Sequence, residues 1–302
     1  MNKLHLTMLI LLTLCANTLF AQSLEPRLYS NAPTDLNFLV VGYGYSQGAL
    51  ASTPELELKD PDLKLNIGIV AYARGFDFFG KCAKVDVIIP TVKIDGDAIV
   101  NGTYKTRNVS GLGDIKARVS LNVIGSPALI LKDFSTYKQD TIIGMSLQVT
   151  APSGKYENDK LINIGRNIWA VKIGAGVSKA LGNFTLEFLS DAEFYTTNND
   201  YYGSTKKGTD PVYSVQGHLI YNIQRGMWVA LNSNYYWGGN SYIDGVSKNT
   251  DLKNSRLGFV FTMPINKQNS IKLSASDGVS TRTGTDFTTA MLFWQYRFGG
   301  GI

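Results

Sequence analysis

Cysteine and histidine are almost missing from this chain. Among its 302 residues there are two of each, and Cys15 and His5 both fall in the first 21. Once that leader is gone, Cys82 and His218 stand alone, so no intramolecular disulfide can form and no Cys/His metal cluster can be assembled. A basic block is missing too. The 29 basic and 24 acidic side chains are scattered, and loss of Lys3 leaves an excess of about +4, too mild and too dispersed for a nucleic-acid binder. Past the leader no apolar run approaches the roughly 20 residues of a membrane-spanning helix, which excludes helical membrane folds. No Pro/Ser linker or shift in composition divides the chain.

The leader itself, MNKLHLTMLILLTLCANTLFA, has Lys3 near its start, an apolar stretch from Leu9 to Leu14 and a small residue, Ala21, before Gln22. This predicts a secretory signal peptide over 1–21. Leu14 stands where a small residue would have to precede a lipidated Cys15, so a lipid anchor is not expected.

What fills the rest is strand after strand of period-two alternation. Val215, Gly217, Leu219, Tyr221 and Ile223 share one face of a strand, and Ser214, Gln216, His218 and Asn222 the other. After the turn Gln224-Arg225-Gly226, Val229, Leu231, Tyr235 and Trp237 oppose Ala230, Asn232 and Asn234. The same reading opposes Leu63, Leu65 and Ile67 to Lys64 and Asn66, Val85 and Val87 to Lys84 and Asp86, and Val119 and Leu121 to Lys116 and Arg118. Further on it opposes Val171 and Ile173 to Lys172, and Phe184, Leu186 and Phe188 to Glu187, Asp191 and Glu193. Leu257 and Phe259 oppose Arg256, Ile271 and Leu273 oppose Lys272, and Leu292, Trp294, Tyr296 and Phe298 oppose Gln295 and Arg297. With a first strand over Asp35 to Gln47 and another over Ile143 to Val149, twelve strands are expected.

Connections alternate in length. Long polar segments span Gly48–Asp62, Lys93–Gly113, Pro152–Gly165, Thr196–Asp210 and Gly238–Ser255, while tight links such as Leu181-Gly182-Asn183 fall between them. Long loops on one rim and short turns on the other mark a transmembrane barrel, with the long loops outside the cell. The misfit is Gly125–Asp140, where ALILKDF is expected to form a short helix. The expected fold is therefore all-β: a closed antiparallel transmembrane β-barrel over 35–302, in the bacterial outer membrane, preceded by a periplasmic segment over 22–34. Its apolar face meets lipid and its polar face a lumen. Tyr43, Tyr45, Trp169, Tyr235, Trp237, Trp294 and Tyr296 sit near strand ends, where amphipathic rings favour the membrane interface. The near-terminal WQYRF, ending at Phe298, is similar to the C-terminal strand by which barrel assembly machinery and periplasmic chaperones recognise their clients.

At this point the chain resembles a known family, the outer-membrane transporters linked to the meta-cleavage pathway of phenol degradation, labelled "MetA-pathway of phenol degradation". The resemblance lies in GLGDIKARVSLNVIGSPAL (Gly111 to Leu129), LQVTAPSGKY (Leu147 to Tyr156), LINIGRNIWAVKIGAGVSKALGNFTLE (Leu161 to Glu187), NNDYYG (Asn198 to Gly203), DPVYSVQGHLIYNI (Asp210 to Ile223) and RLGFVFTMPI (Arg256 to Ile265). It implies outer-membrane uptake of small, often aromatic, organic molecules.

The residues permit few other chemistries. Ser214 and His218 lie four apart on an extended strand, about 13 Å, too far for a direct nucleophile–base hydrogen bond, so a satisfied lumen hydrogen bond is expected of His218. The glycines of Gly42-Tyr43-Gly44 and Gly174-Ala175-Gly176 lack the helix that a dinucleotide fingerprint needs and are expected to allow bending or close approach; no cofactor is expected. Asn101-Gly102 and Asp95-Gly96 are expected as turns. Inward charge is expected from Lys64, Lys84, Asp86, Lys116, Arg118, Lys172, Glu187, Asp191, Glu193, Arg256 and Lys272, with Gln216, His218 and Asn232 as polar wall. These residues form either a packed web of ion pairs or a selectivity ring with a weak anion preference, and the two are compatible. The expected function is passive diffusion of small solutes, against the alternatives of a structural or adhesive barrel plugged by side chains or by the segment Gln22 to Thr34, and of an outer-membrane hydrolase.

Overall fold

The computed structural model describes residues 24–50, 58–100, 103–160, 162–203 and 205–300. The expected signal peptide, its cleavage point and Asn101-Gly102 lie outside them. Successive side chains of these strands point to opposite faces, and sorting them by polarity requires one face in hydrocarbon and the other enclosed. The wall is built from β1 (Leu36–Leu50), β2 (Leu58–Phe78), β3 (Lys81–Val100), β4 (Thr103–Leu112), β5 (Lys116–Ile124), β6 (Thr141–Thr150), β7 (Ala170–Leu181) and β8 (Phe184–Tyr195). After the short β9 (Asn198–Tyr201) and β10 (Thr205–Thr209), it continues with β11 (Val212–Gln224) and β12 (Met227–Gly238). The small β13 (Ser241–Ile243) and β14 (Val246–Ser247) precede β15 (Leu252–Pro264), β16 (Asn269–Ser280) and β17 (Thr285–Gly299).

Neighbours pair antiparallel throughout, and β17 returns to pair with β1 from Leu36↔Gly299 to Leu50↔Thr285, so the sheet has no free edge around the barrel. Twelve strands close it, as expected, because β4 continues the line of β5, pairing with the upper half of β3 while β5 pairs with the lower. The strands β9, β10, β13 and β14 form a separate four-stranded sheet in the long loops of one rim. On the other rim the links are tight, such as Gly182-Asn183 and Arg225-Gly226, except for 125–140, which carries the helix α1 (Leu131–Phe134) inside the expected ALILKDF.

Exposure identifies the outer solvent. Leu231 is 61 % exposed, Phe188 54 % and Leu292 50 %, while the inward Asn232 and Gln216 are 2 % and 3 % exposed. That is the reverse of a soluble sandwich and suits hydrocarbon outside. Two stacked ladders of rings, Tyr213–Trp237–Tyr235 and Trp294–Tyr296–Phe298, flank this apolar band at opposite ends, with centroids 5.6 to 6.0 Å apart.

The chain departs from the sequence reading on β2 to β4. Lys93–Gly113, expected as a loop, is strand through the upper half of β3 and all of β4. There the pattern inverts: Leu63, Leu65, Ile67, Val92, Ile94 and Val109 are buried inside, packed with Ile164 and Phe287, while Lys64 and Lys93 face outward. Lys64 is thus no lumen residue; its side chain is 49 % exposed and pairs with Asp62 at 3.3 Å. The physical reason is that these strands rise past the apolar band, where the outer medium is water and the polar face turns out. Asp95-Gly96 is no turn either. It continues β3, and a Cβ at Gly96 would lie 2.1 Å from Leu63 Cδ2, so the glycine makes room for the apolar cluster.

Candidate functional site: an occupied lumen

The inward faces meet around a segment that the strand pattern does not reveal. Residues 24–34, expected to lie in the periplasm, run inside the barrel and are held by side chains from most of its circumference. Gln216 Oε1 accepts from Glu25 N at 3.2 Å, and Glu187 Oε2 from Arg27 N at 2.7 Å. Asn122 Nδ2 donates to Tyr29 O at 2.9 Å, and Lys84 Nζ to the carbonyls of Leu28 and of Ser30, the latter at 2.9 Å. The Glu25 carboxylate pairs with Arg118 and, at 3.8 Å, with Lys172. The Arg27 guanidinium reaches Asn222 Oδ1 and lies over the Trp228 ring, 4.8 Å from its centroid. The chain then leaves toward the short-turn rim, where Thr34 N donates to Leu129 O at 2.9 Å.

Most inward charges are also bonded to the wall itself. Arg118 Nε donates to Asp86 Oδ2 at 3.0 Å, Ser178 Oγ to Glu187 Oε1 at 2.8 Å, and Ser214 Oγ to Asp191 Oδ2 at 2.7 Å. Tyr195 OH donates to Glu193 Oε2 at 2.8 Å, and Arg256 Nη1 to Ser276 Oγ at 3.2 Å. Lys272 Nζ sits 4.5 Å from the centroid of the Phe293 ring, and Lys116 faces inward beside Arg118 on the same strand face. His218 Nδ1 shares a hydrogen bond of 2.8 Å with Asn232 Oδ1, so Ser214 and His218 each have a different partner. Apart from Lys64, the residues read as lumen-facing converge on this interior.

Glycines shape the wall where something leans on it. Those of Gly42-Tyr43-Gly44 take the side chains of Phe293 and Met291 from β17, with would-be Cβ contacts of 2.4 Å and 2.9 Å. Gly258 takes Leu24 of the segment, at 2.2 Å.

Above the segment the mouth is organised by a carboxylate that sequence reasoning missed. Asp114, 9 % exposed between β4 and β5, accepts from Gly154 N at 3.0 Å through Oδ1 and from Arg166 N at 2.9 Å through Oδ2. The loop 151–169 is thereby folded over the mouth, placing Ile164 on the apolar cluster and Arg107 Nη2 2.9 Å from Glu157 Oε2. Hydrogen bonding to Arg107 holds the Glu157 carboxyl below the usual carboxylate range. The segments GLGDIK, APSGKY and INIGRN thus meet at one point, which was the available signal: three glycine-containing stretches, the latter two close together and the first 40 residues earlier.

A family model described as "Putative MetA-pathway of phenol degradation" matches residues 58–296. No curated protein sequence matches the chain. Among solved structures, an outer membrane channel from Pseudomonas putida F1 is similar with a TM-score of 0.77 at 20 % identity, over 91 % of this chain and all of that one. The transport unit of the autotransporter AIDA-I from Escherichia coli has a TM-score of 0.55 at 11 % identity, over 94 % and 95 %. The translocator domain of the autotransporter NalP from Neisseria meningitidis has 0.51 at 10 %, over 90 % and 91 %. These likenesses are of fold: closed barrels of the outer membrane.

Proposed function

Because the chain belongs to the family described as "Putative MetA-pathway of phenol degradation", we propose that this outer-membrane barrel is a gated passive channel for small organic molecules, aromatic compounds among them. The observation that carries the proposal is the manner in which the lumen is filled. Residues 24–34 lie in it as a single segment, with a turn at 26–29, tied to the wall by individual hydrogen bonds and ion pairs, not as a packed domain. Such ties have polar substitutes in water, and each contributes only about 1 to 3 kcal/mol net, so this thread of chain can leave piecemeal while the wall stays closed.

Transport then follows from the two linings. A solute meets the apolar cluster of Leu65, Ile67, Val92 and Phe287 at the mouth, which removes part of its apolar surface from water. Below, with the thread displaced, it passes a wall of exchangeable polar groups, among them Gln148, Gln216, Asn232 and Asn234. No energy source is required, because conduction depends on binding weak enough to permit exit.

The competing reading, a barrel sealed by its own segment, is favoured by the number of ties on 24–34. Single-channel conductance of the refolded chain from Gln22 onward, beside a chain lacking 22–34, separates the two. The deletion is expected to give discrete conductance steps and the full chain brief, rarer openings. A folded deletion variant without conductance would overturn the channel proposal.

A further inference from the structure

The thread carries one aromatic ring in the lumen, and the wall is cut to receive it. Tyr29 is 2 % exposed. Its ring lies on two glycines of paired strands, Gly144 of β6 and Gly176 of β7, which are directly opposite each other, and its hydroxyl lies beside Gly174, opposite Ser146. A Cβ at Gly144 would lie 2.3 Å from Tyr29 Cδ1, one at Gly176 2.7 Å from Cε2, and one at Gly174 3.4 Å from the hydroxyl oxygen. The hydroxyl shares a hydrogen bond of 3.0 Å with Ser146 Oγ, and Ile142 and Leu189 close the slot. Glycine inside a strand weakens it, so the facing pair Gly144 and Gly176 is explained by the ring that lies on it.

The wall holds other rings on glycine, but they differ in kind. Phe293 on Gly42 and Phe287 on Gly48 are wall on wall, ring and glycine both fixed in the sheet. The Tyr29 slot is filled by a residue outside the wall, on a thread tied at separate points. Beyond its Cβ, a tyrosine is a para-substituted phenol. Emptied of Tyr29, the slot presents a flat floor of two facing glycines and a hydroxyl partner, Ser146, at one end, the complement of a free phenol.

We propose that this slot is a binding site for phenolic solutes, which Tyr29 occupies as a tethered stand-in, so that a phenol entering the lumen competes with Tyr29 and favours departure of the thread. The proposal rests on the channel reading above and adds to it a solute class and a trigger. A tethered ring acts at an effective concentration of about millimolar, so free phenols compete at or above that level in the native chain and far below it once the ring is gone.

The test uses the refolded chain from Gln22 and p-cresol, followed by equilibrium dialysis, with heat-modifiable migration as the check on folding. Tyr29→Ala is expected to bind p-cresol at least 10-fold more tightly than the native chain. Adding Gly144→Val should fill the slot and cancel that gain, and adding Ser146→Ala should leave p-cresol no better bound than toluene. Equal binding by the native chain and Tyr29→Ala, or a gain unaffected by Gly144→Val, would overturn the proposal. The 22–34 deletion keeps the two readings apart. If it conducts while Tyr29→Ala gains no affinity, the slot proposal fails and the channel stands; if it is silent while Tyr29→Ala binds p-cresol, the slot stands and the channel fails.

Discussion

Replacing Glu25 by alanine isolates the ties of the thread from the integrity of the wall. In the native chain its carboxylate meets Arg118 and Lys172, and Arg118 keeps a second partner in Asp86. In the variant Arg118 keeps its wall pair with Asp86, while Lys172 loses its longer contact with Glu25. A hydrogen bond to a charged group contributes about 1.5 to 3 kcal/mol net, and the 3.8 Å contact with Lys172 adds less. About 2 kcal/mol off the closed state multiplies the open-to-closed ratio roughly 30-fold. In a planar bilayer Glu25→Ala should show the unit conductance of the native chain with about that increase in open probability, because pore width is unchanged. Open probability equal to native, in a preparation where removal of 22–34 does open the barrel, would refute the assignment of this ion pair to closure. A changed unit conductance would refute the claim that the wall is undisturbed.

Other consequences are open to measurement. Asp114→Asn replaces one acceptor of two buried amides by a donor, which should cost the loop 151–169 about 2 kcal/mol and raise hydrogen exchange at Gly154 and Arg166 roughly 30-fold, with barrel strands unaffected. Ala32→Cys should form a disulfide with Cys82, whose Sγ lies 3.5 Å from the Ala32 carbonyl, and so lock the thread until reductant is added. Glu157 has a folded pKa below its unfolded one, so its tie to Arg107 is fully present above the unfolded value of about 4.3 and is lost as pH falls through the folded value. Protease nicking of 151–169 should thus rise only below about pH 4, and Glu157→Gln should remove that pH dependence. Finally, Lys172→Glu should shift the reversal potential in a salt gradient while Lys64→Glu leaves it unchanged, since only the former faces the lumen.

The fold was legible because most strands keep one rule from end to end. On β8 and β11, Phe184 to Phe188 and Val215 to Tyr221 alternate without interruption, and both strands stay within the apolar band. The rule fails at Lys64 because β2 crosses from hydrocarbon into water, and the meaning of a polar face reverses there though the alternation does not. Periodicity reports that two faces differ; it does not report what lies outside each one. A length argument carries that information: β2 and β3, with 21 and 20 residues, exceed the roughly 10 that span a bilayer, so their upper halves stand beyond it.

The thread was legible only as an alternative, a plug over Gln22 to Thr34, and its ties to the wall were illegible for a different reason. Residues 24–34 have no period, because their ties are spread over many strands, and their chemistry is complementary to positions as distant as Gln216 and Asn222. The trace they leave lies in the wall. Gly144, Gly176 and Gly258 stand inward in strands where a side chain would pack better, and each lacks a Cβ at the point where Tyr29 or Leu24 presses against it. A glycine on the inward face of a barrel strand therefore carries information of the opposite kind from a glycine in a turn: it marks a place where the volume belongs to another part of the chain. By that argument the occupied lumen is the state for which this wall is shaped. Opening must then leave a ring-sized vacancy on β6 and β7, and a solute able to fill it lowers the free energy of the open state by its own binding.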